Sequence, residues 1–143
     1  MHITAADAKA LGITLPEEEG DVVPEIKQRS TRSIIAPYRS KLEMEYTAYL
    51  ETLHLAGKIA SWHYETIKLR LGQGVWYIPD VLVVPPGSGR LEMHEIKGAY
   101  VHEKGRVKFH SAVDRYPWFR WFWVTRQGGV WKAQEFFPGG RSC

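Results

Sequence analysis

The spacing of apolar and polar residues predicts a helix followed by two strands in the middle of the chain. Residues 40–56 carry apolar side chains at helical spacing, with Ser40 placed to cap the start and Gly57 to stop the end. Residues 62–71 end in apolar positions that alternate with charged ones, which predicts a half-buried strand. Residues 75–84 are apolar on both faces after Asp80, which predicts a strand in the centre of a sheet.

The same pattern predicts further strands and a second helix in the C-terminal half of the chain. Residues 91–97 predict a strand that pairs with the central one, and a helix is expected from about Arg106 to Tyr116, ended by Pro117. Residues 119–125 and 130–137 predict two more strands. The expected fold class is therefore α/β, in the order helix, three strands, helix, strand, strand.

The N-terminal region has a different pattern. Thr4 can cap a short helix over residues 5–11, and residues 13–33 form a Pro-containing, acidic stretch with little periodicity. We therefore expect residues 1–33 to be a short helix with a flexible linker, and residues 34–143 to form one domain.

Two carboxylates should meet where the two central strands pair. If Val84 and Leu91 close a hairpin, residues whose numbers sum to 175 face each other, so Asp80 lies opposite Glu95 and Lys97 shares their face. Like charges directly opposite each other destabilise a sheet. A hard divalent cation such as Mg²⁺ or Mn²⁺ would offset that repulsion.

Composition and charge limit the class of protein and the kind of partner that it can bind. The 143 residues are 44% hydrophobic with a single cysteine, Cys143, so the chain suits a globular domain without an intrachain disulfide. No apolar run is long enough to span a bilayer and no signal peptide is seen, so we expect a cytoplasmic protein without a membrane partner. Residues 97–143 carry nine basic and three acidic groups, which favours a phosphate backbone as partner.

These motifs together carry a resemblance. A helical glutamate, the dipeptide Pro79-Asp80 and the tripeptide Glu95-Ile96-Lys97 occur in the order that resembles the PD-(D/E)XK nuclease superfamily. More narrowly, SKLEMEY at residues 40–46, YIPDV, EIKG and RVKFHSAVDRYP at residues 106–117 are similar to small phage-encoded endonucleases. The resemblance implies a restriction-endonuclease-like αβββαβ core, with a mixed central sheet flanked by helices.

The resemblance also implies roles for the site residues. Asp80, Glu95 and the carbonyl of Ile96 would bind Mg²⁺, for which Mn²⁺ would substitute. Lys97 would orient or help to deprotonate the attacking water and would stabilise the transition state. The alternative is a surface hairpin in which Lys97 merely neutralises two carboxylates.

The helical carboxylate is not decided by the residues. Glu43 and Glu45 lie on opposite flanks of the apolar stripe, and the resemblance selects Glu43 as the fourth catalytic and metal-binding residue. The segment from Ser40 to Glu43 is also a capping box, in which Glu43 would bond back to the Ser40 amide.

Basic and aromatic residues after the motif suggest contacts with nucleic acid. Lys108 matches a basic position of the phage group, and we expect Lys104, Arg106 and Arg115 to contact nucleic acid with it; a solvated helix surface is the alternative. Histidines, among them His94 and His110, are interpreted as structural or DNA-facing. Four tryptophans follow the motif: Trp118, Trp121, Trp123 and Trp131. They could stack on unpaired bases, although we expect at least half of them to lie in the core.

The resemblance implies a Mg²⁺-dependent endonuclease that hydrolyses DNA. Its setting would be phage DNA replication, recombination or repair in the host cytoplasm, with branched or junction DNA as a possible substrate and a homodimer as a possible assembly. Two alternatives stay open: a non-catalytic DNA-binding module that keeps the nuclease fold, and an RNA-directed nuclease.

Overall fold

The computed structural model describes residues 37–142, with side chains up to Gly140. The predicted helix over residues 5–11 and the predicted linker over residues 13–33 lie outside the described residues. The described part contains two helices and eight strands. In chain order they are α1 (Lys41–Leu55), β1 (Ser61–Tyr64), β2 (Leu69–Gly72), β3 (Val75–Tyr77), β4 (Val81–Val84), β5 (Glu92–Ile96), α2 (Glu103–Arg115), β6 (Arg120–Gln127), β7 (Val130–Phe137) and β8 (Arg141–Ser142).

The strands form one mixed sheet and one separate hairpin. The sheet has the order β1-β4-β5-β6-β7, extended at its edge by the two-residue β8, whereas β2 and β3 pair only with each other in the hairpin. Strands β5 and β6 run parallel, joined by α2, and the other neighbours are antiparallel. The predicted α/β class and the predicted mixed sheet are therefore confirmed.

Helix α1 covers one face of this sheet. Tyr46 and Leu50 pack against apolar residues of β4, β5 and β6: Val81, Val83, Ile96 and Val124. Ser40 caps the helix, since its Oγ accepts from the Glu43 amide at 3.2 Å, and Gly57 follows the last turn with a φ of +72°. The predicted start and stop of α1 are confirmed, because the cap and the glycine act locally.

Helix α2 and the hairpin cover the opposite face. Phe109, Ala112 and Val113 pack on Met93 and Trp121 and on the buried side of the hairpin. Because side chains alternate along a strand, β4 supplies Val81 and Val83 to the first face and Leu82 to the second. The prediction of a central strand that is apolar on both faces is confirmed, since β4 pairs with β1 and β5.

Two predicted strands are each broken in the structure. The strand predicted over residues 62–71 stops at Tyr64, where Glu65 adopts a φ of +44°, and resumes as β2 at Leu69. The strand predicted over residues 75–84 is interrupted before Val81 at Pro79, which has no amide hydrogen for a sheet ladder. Five strands rather than the predicted three therefore lie between the helices: β1, β4 and β5 belong to the main sheet, and the two breaks let β2 and β3 form the separate hairpin.

Helix α2 also differs from its predicted boundaries. It begins at Glu103, three residues before the predicted Arg106, and its last helical residue is Arg115. Glu103 lies in the first turn, where a negative charge is favourable at the positive end of the helix dipole. No helix among residues 37–142 is long and apolar enough to cross a membrane.

Packing under α1 predicts a clear difference between two leucines of that helix. Leu50 is 1% exposed and Leu55 is 79% exposed. We expect Leu50→Ala to lower the free energy of unfolding by about 2–5 kcal/mol, because it removes buried methyl groups and leaves a cavity. The matched change Leu55→Ala should stay within about 0.5 kcal/mol of the wild type. Urea denaturation measures both, and equal losses would contradict this packing.

Candidate active site

The register of β4 and β5 brings Asp80 to the end of β5. Val81 pairs with His94, Leu82 with Met93 and Val83 with Glu92, so the predicted sum of 175 is confirmed on every rung of this ladder. Asp80 immediately precedes β4, and its Oδ2 accepts from the Ile96 amide at 2.8 Å. The carboxylate of Asp80 is thereby fixed beside the last residues of β5.

Glu95 is buried beside Asp80 and is held by two donors. It is 5% exposed, its Oε1 lies 2.7 Å from Lys97 Nζ, and its Oε2 accepts from the hydroxyl of Tyr77. Tyr77 belongs to the hairpin, and Lys97 directly follows β5. The structure therefore brings Asp80, Glu95 and Lys97 together, as the sequence predicts, and adds Tyr77.

Burial of this cluster shifts its protonation equilibria. Burial first, and then the charge of Glu95, raise the pKa of Asp80 to about 8, although the Ile96 amide opposes the shift. Burial would lower the pKa of Lys97, but the carboxylates of Glu95, Asp80 and Glu43 outweigh it and the pKa is raised. Lys97 is therefore a protonated ammonium group at neutral pH, whereas repulsion from Glu95 favours the protonated, neutral form of Asp80.

Of the two helical glutamates, Glu43 faces the cluster. It is buried at the start of α1, and its charge contributes to the raised pKa values of Asp80 and Lys97. Glu45 lies on the other flank of α1, where its carboxylate pairs with Arg126 at 2.7 Å and Lys41 at 3.7 Å. The alternative that Glu45 completes the site is not supported by this arrangement.

The predicted capping box is only half formed. Ser40 caps the Glu43 amide, but the Glu43 carboxylate does not return to the Ser40 amide. Its Oε2 instead accepts from the Arg39 amide at 3.1 Å and from the Tyr64 hydroxyl at 2.6 Å. Glu43 thus combines a capping contact with a position beside the cluster.

Sequence reasoning missed both tyrosines of the site. The pKa of Tyr64 is raised by burial and by its hydrogen bond to Glu43, and that of Tyr77 by burial and by Glu95. Each tyrosine hydroxyl is therefore kept as a donor to its carboxylate. Tyr77 lies three residues before Asp80 in the same apolar run, which could have drawn attention to it. Nothing in the local pattern marks Tyr64.

The donor set fits a hard divalent cation. Asp80 and Glu95 supply carboxylate oxygens, and a carboxylate with two donors still has lone pairs to offer. The Ile96 amide points to Asp80, and because the N–H and C=O of one strand residue point to the same side, we expect the Ile96 carbonyl on that side as well. Among residues 37–142, no group of three or more His, Cys, Asp or Glu side chains lies at metal-binding distances.

Cations of α2 approach the cluster at the start of that helix. The ammonium of Lys97 and the guanidinium of Arg106 lie 5.8 and 5.9 Å from the centroid of one indole ring, that of Trp123. Lys108 Nζ donates to the carbonyl of Trp76 at 3.3 Å, and Lys104 is exposed one turn earlier. Three of the predicted nucleic-acid contacts therefore lie on this part of α2.

Arg115 does not share this position. It lies in the last turn of α2, whereas Gly105, in the first turn, lies next to Lys97. At 1.5 Å per residue, Arg115 is about 15 Å along the helix axis from Gly105. Arg115 therefore lies apart from the other three cations, and its contact with nucleic acid stays a prediction.

A cleft opens at the carboxyl ends of β5 and β6. These two strands are parallel, and ligands of open α/β sheets bind outside such strand ends. The cleft has a volume of about 500 Å³, with Lys97 at one side and Arg126 at the other. Its lining residues are Leu42, Lys97, Gly98, Ala99, Thr125, Arg126, Gln127 and Gly129.

His94, His110 and three of the four tryptophans after the motif are structural. His94 is buried on the α1 face, where it contacts the Tyr46 hydroxyl at 2.6 Å and Glu92 at 3.0 Å. His110 packs against Phe136. Trp121 and Trp123 belong to the core and Trp131 is half-buried, whereas Trp118 is 66% exposed. The expectation that at least half of the four tryptophans are core is confirmed.

Comparison of the chain with protein-family models, with curated proteins and with solved structures found no match.

The raised pKa of Asp80 predicts a stability change with pH. Between about pH 4 and pH 8 the unfolded chain releases a proton that folded Asp80 retains, so this group lowers the stability of the fold as the pH rises. Asp80→Asn removes the charge but keeps an oxygen for the Ile96 amide. Relative to the wild type, the variant should gain about 1–3 kcal/mol by pH 8.5, because each pKa unit is worth about 1.4 kcal/mol and solvent screens part of it.

Urea denaturation from pH 4 to pH 9, without divalent cations, measures this gain. Asp114→Asn is the matched control, because Asp114 is exposed and also accepts one backbone amide, that of Gly139. The gain of Asp80→Asn between pH 4 and pH 8.5 should exceed any change for Asp114→Asn by at least about 1 kcal/mol. A constant difference for Asp80→Asn would contradict the assigned pKa shift.

Proposed function

We propose that the protein is a Mg²⁺-dependent endonuclease that hydrolyses phosphodiester bonds of DNA. The observation that carries this proposal is the convergence of Asp80, Glu95 and Lys97 beside a cleft at the ends of two parallel strands. A buried carboxylate, a half-buried one and an ammonium group are a costly arrangement for a fold that uses them only structurally. A catalytic site for phosphate chemistry accounts for the cost.

The carboxylates of Asp80 and Glu95 and the carbonyl of Ile96 would hold the cation. When bound, a divalent cation lowers the pKa of water and offsets the charge that develops on a scissile phosphate. Asp80 is oriented by the Ile96 amide, and Glu95 by Tyr77 and Lys97. These contacts fix the donor oxygens before any ligand binds, which lowers the reorganisation needed for catalysis.

Lys97 acts as a hydrogen-bond donor and a positive charge in this proposal. Its raised pKa keeps the ammonium protonated, so it can orient a water molecule or contact a phosphate oxygen. A protonated ammonium group cannot accept a proton, which argues against the alternative in which Lys97 helps to deprotonate the water. Arg106, on the same indole as Lys97, adds a second positive charge where a phosphate group would lie.

The fold supports assignment to the PD-(D/E)XK superfamily. In support, a helix carrying Glu43, the antiparallel pair of β4 and β5, a crossover helix and the parallel strand β6 occur in the order expected of a restriction-endonuclease-like core. From the resemblance of residues 40–46 and 106–117 to small phage-encoded endonucleases we also propose a phage enzyme of DNA replication, recombination or repair. Selectivity for branched DNA and a symmetric dimer belong to this proposal by analogy of fold.

The central prediction concerns Asp80. With a labelled DNA substrate and Mg²⁺, Asp80→Asn should reduce cleavage at least about 1000-fold, since it removes a charged donor from the cation site. Binding to the same DNA in EDTA should remain within about threefold, because Asp80 is not expected to contact the phosphate directly. Asp114→Asn should cleave like the wild type, and equal losses of cleavage and binding in Asp80→Asn would contradict its assigned role.

The substrate panel should contain duplex, single-stranded, flap and four-way-junction DNA, with RNA of the same sequence. Mn²⁺ should replace Mg²⁺, and EDTA should stop the reaction. Cleavage of no substrate under any condition would refute the endonuclease proposal and favour a DNA-binding module. Equal cleavage of every DNA would refute selectivity for branches.

The two helical glutamates give a matched pair of variants. Glu43→Gln should lower cleavage at least about tenfold, because Glu43 acts on Asp80 and Lys97 through its charge. Glu45→Gln weakens only two surface ion pairs, with Arg126 and Lys41, and should stay within about twofold of the wild type. Single-turnover cleavage assays distinguish the two, and a larger loss for Glu45→Gln would reverse the assignment.

A further inference from the structure

The outer face of the β2–β3 hairpin presents an exposed tryptophan among cations. Trp76 is 43% exposed, although its neighbour Tyr77 is buried on the inner face. Arg70 pairs with Trp76 across the hairpin, and Lys68 Nζ lies 4.8 Å from the centroid of the Trp76 ring. Lys108, from α2, reaches the Trp76 carbonyl. We call Lys68, Arg70, Trp76 and Lys108 the hairpin patch.

The positive charge of this patch is not balanced within the described residues. No salt bridge in residues 37–142 involves Lys68, Arg70 or Lys108, nor the neighbouring Lys104 and Arg106 of α2. Elsewhere on the described surface, Arg39, Arg120 and Arg126 each pair with a glutamate, whereas other cations without a salt bridge occur there too: Lys58, Arg90, Arg115 and Lys132. What distinguishes the patch is that three such cations surround one exposed indole. A cluster of unpaired cations repels itself, and a polyanion would offset that repulsion.

An indole among cations suits single-stranded nucleic acid in particular. Cations track a phosphate backbone in any strand, but an aromatic ring gains energy only from a base whose face is accessible. In a duplex the bases are stacked on each other, so Trp76 has no base face to contact. Trp76 therefore discriminates between paired and unpaired DNA in a way that the cations alone cannot.

Strand β3 connects the hairpin patch to the candidate active site. Trp76 and Tyr77 are consecutive in β3, and the hydroxyl of Tyr77 donates to Glu95. On α2, Lys108 contacts the Trp76 carbonyl, and Arg106, two residues earlier, lies over the same indole as Lys97, that of Trp123. The patch and the candidate active site are therefore adjacent through both β3 and α2.

We propose that the hairpin patch binds an unpaired segment of DNA, with Trp76 stacking on a base while Lys68, Arg70 and Lys108 contact phosphates. The inference rests on the proposed endonuclease function and deepens it. It assigns the substrate class as DNA that contains single-stranded nucleotides close to the cleaved bond. The discriminating residue would be Trp76, which lies outside the cation site.

The test measures binding in EDTA, where cleavage does not interfere. Fluorescence anisotropy with a labelled 20-nucleotide single strand, and with the duplex of the same sequence, compares Trp76→Ala with the wild type. We expect the variant to bind the single strand roughly tenfold or more weakly, the loss of about one stacked base, and the duplex within about twofold. Trp76→Phe should restore most of the single-strand affinity, because it keeps an aromatic face.

Trp118→Ala is the matched comparison, because Trp118 is an exposed tryptophan that the sequence also offers for stacking, but within the described residues no cation lies over its ring. It should bind both DNAs like the wild type. For the cations, Lys68→Gln and Arg70→Gln should each weaken binding to both DNAs, and each should reduce the salt slope on single strands by about 0.7.

Three outcomes would overturn the inference: unchanged single-strand binding by Trp76→Ala, equal losses on single strand and duplex, or an equal loss in Trp118→Ala. Tighter wild-type binding to RNA of the same sequence would overturn the choice of DNA. Binding through Trp76 without cleavage in Mg²⁺ would refute the endonuclease proposal alone. Cleavage that is unaffected by Trp76→Ala on every substrate, with unchanged binding, would refute this inference alone.

Discussion

The Ile96 amide donates to Asp80 because β4 and β5 keep one register up to the start of β4, and this contact brings a second carboxylate against Glu95. The fold encloses the pair on both sides, with α1 over one sheet face and α2 with the hairpin over the other. Burial makes the repulsion between the two carboxylates strong, since solvent screens it poorly. The hydrogen-bond donors around the pair stabilise these carboxylates and reduce the cost of burying them.

Three side chains donate to the carboxylates of the site: those of Tyr77, Lys97 and Tyr64. Tyr77 and Lys97 each hold one oxygen of Glu95, and Tyr64 holds Glu43 at the start of α1. The tyrosines donate hydrogen bonds without adding charge, whereas Lys97 also compensates charge. These donors therefore keep the carboxylates oriented. Because the pKa of Asp80 is about 8, a cation bound there at neutral pH would displace a proton.

The parts of the fold that depend on local pattern were predictable from the sequence. The register of β4 and β5 could be predicted because a short turn joins the two strands. Helix α1 could be predicted from its N-cap Ser40, its apolar face and the glycine after it. The breaks at Glu65 and Pro79 were missed, because a run of apolar residues does not show where the backbone turns away from a ladder. Tyr77 was missed for the same reason, since its contact with Glu95 exists only when β3 leaves the sheet. The choice between Glu43 and Glu45 needed the positions of Arg126 and Tyr64, which lie far away in sequence.

The hairpin has a consequence for how this region can change length. Its register shifts between Arg70 and Gly72, and Gly74, with a φ of +70°, completes the turn before a three-residue strand. Adjacent side chains of a strand point to opposite faces, so a slip by one residue would turn the Trp76 indole inward and carry the Tyr77 hydroxyl into solvent. An insertion or deletion in this turn would therefore disturb the outer surface and the orientation of Glu95 in a single step. The turn can vary in sequence far more readily than in length.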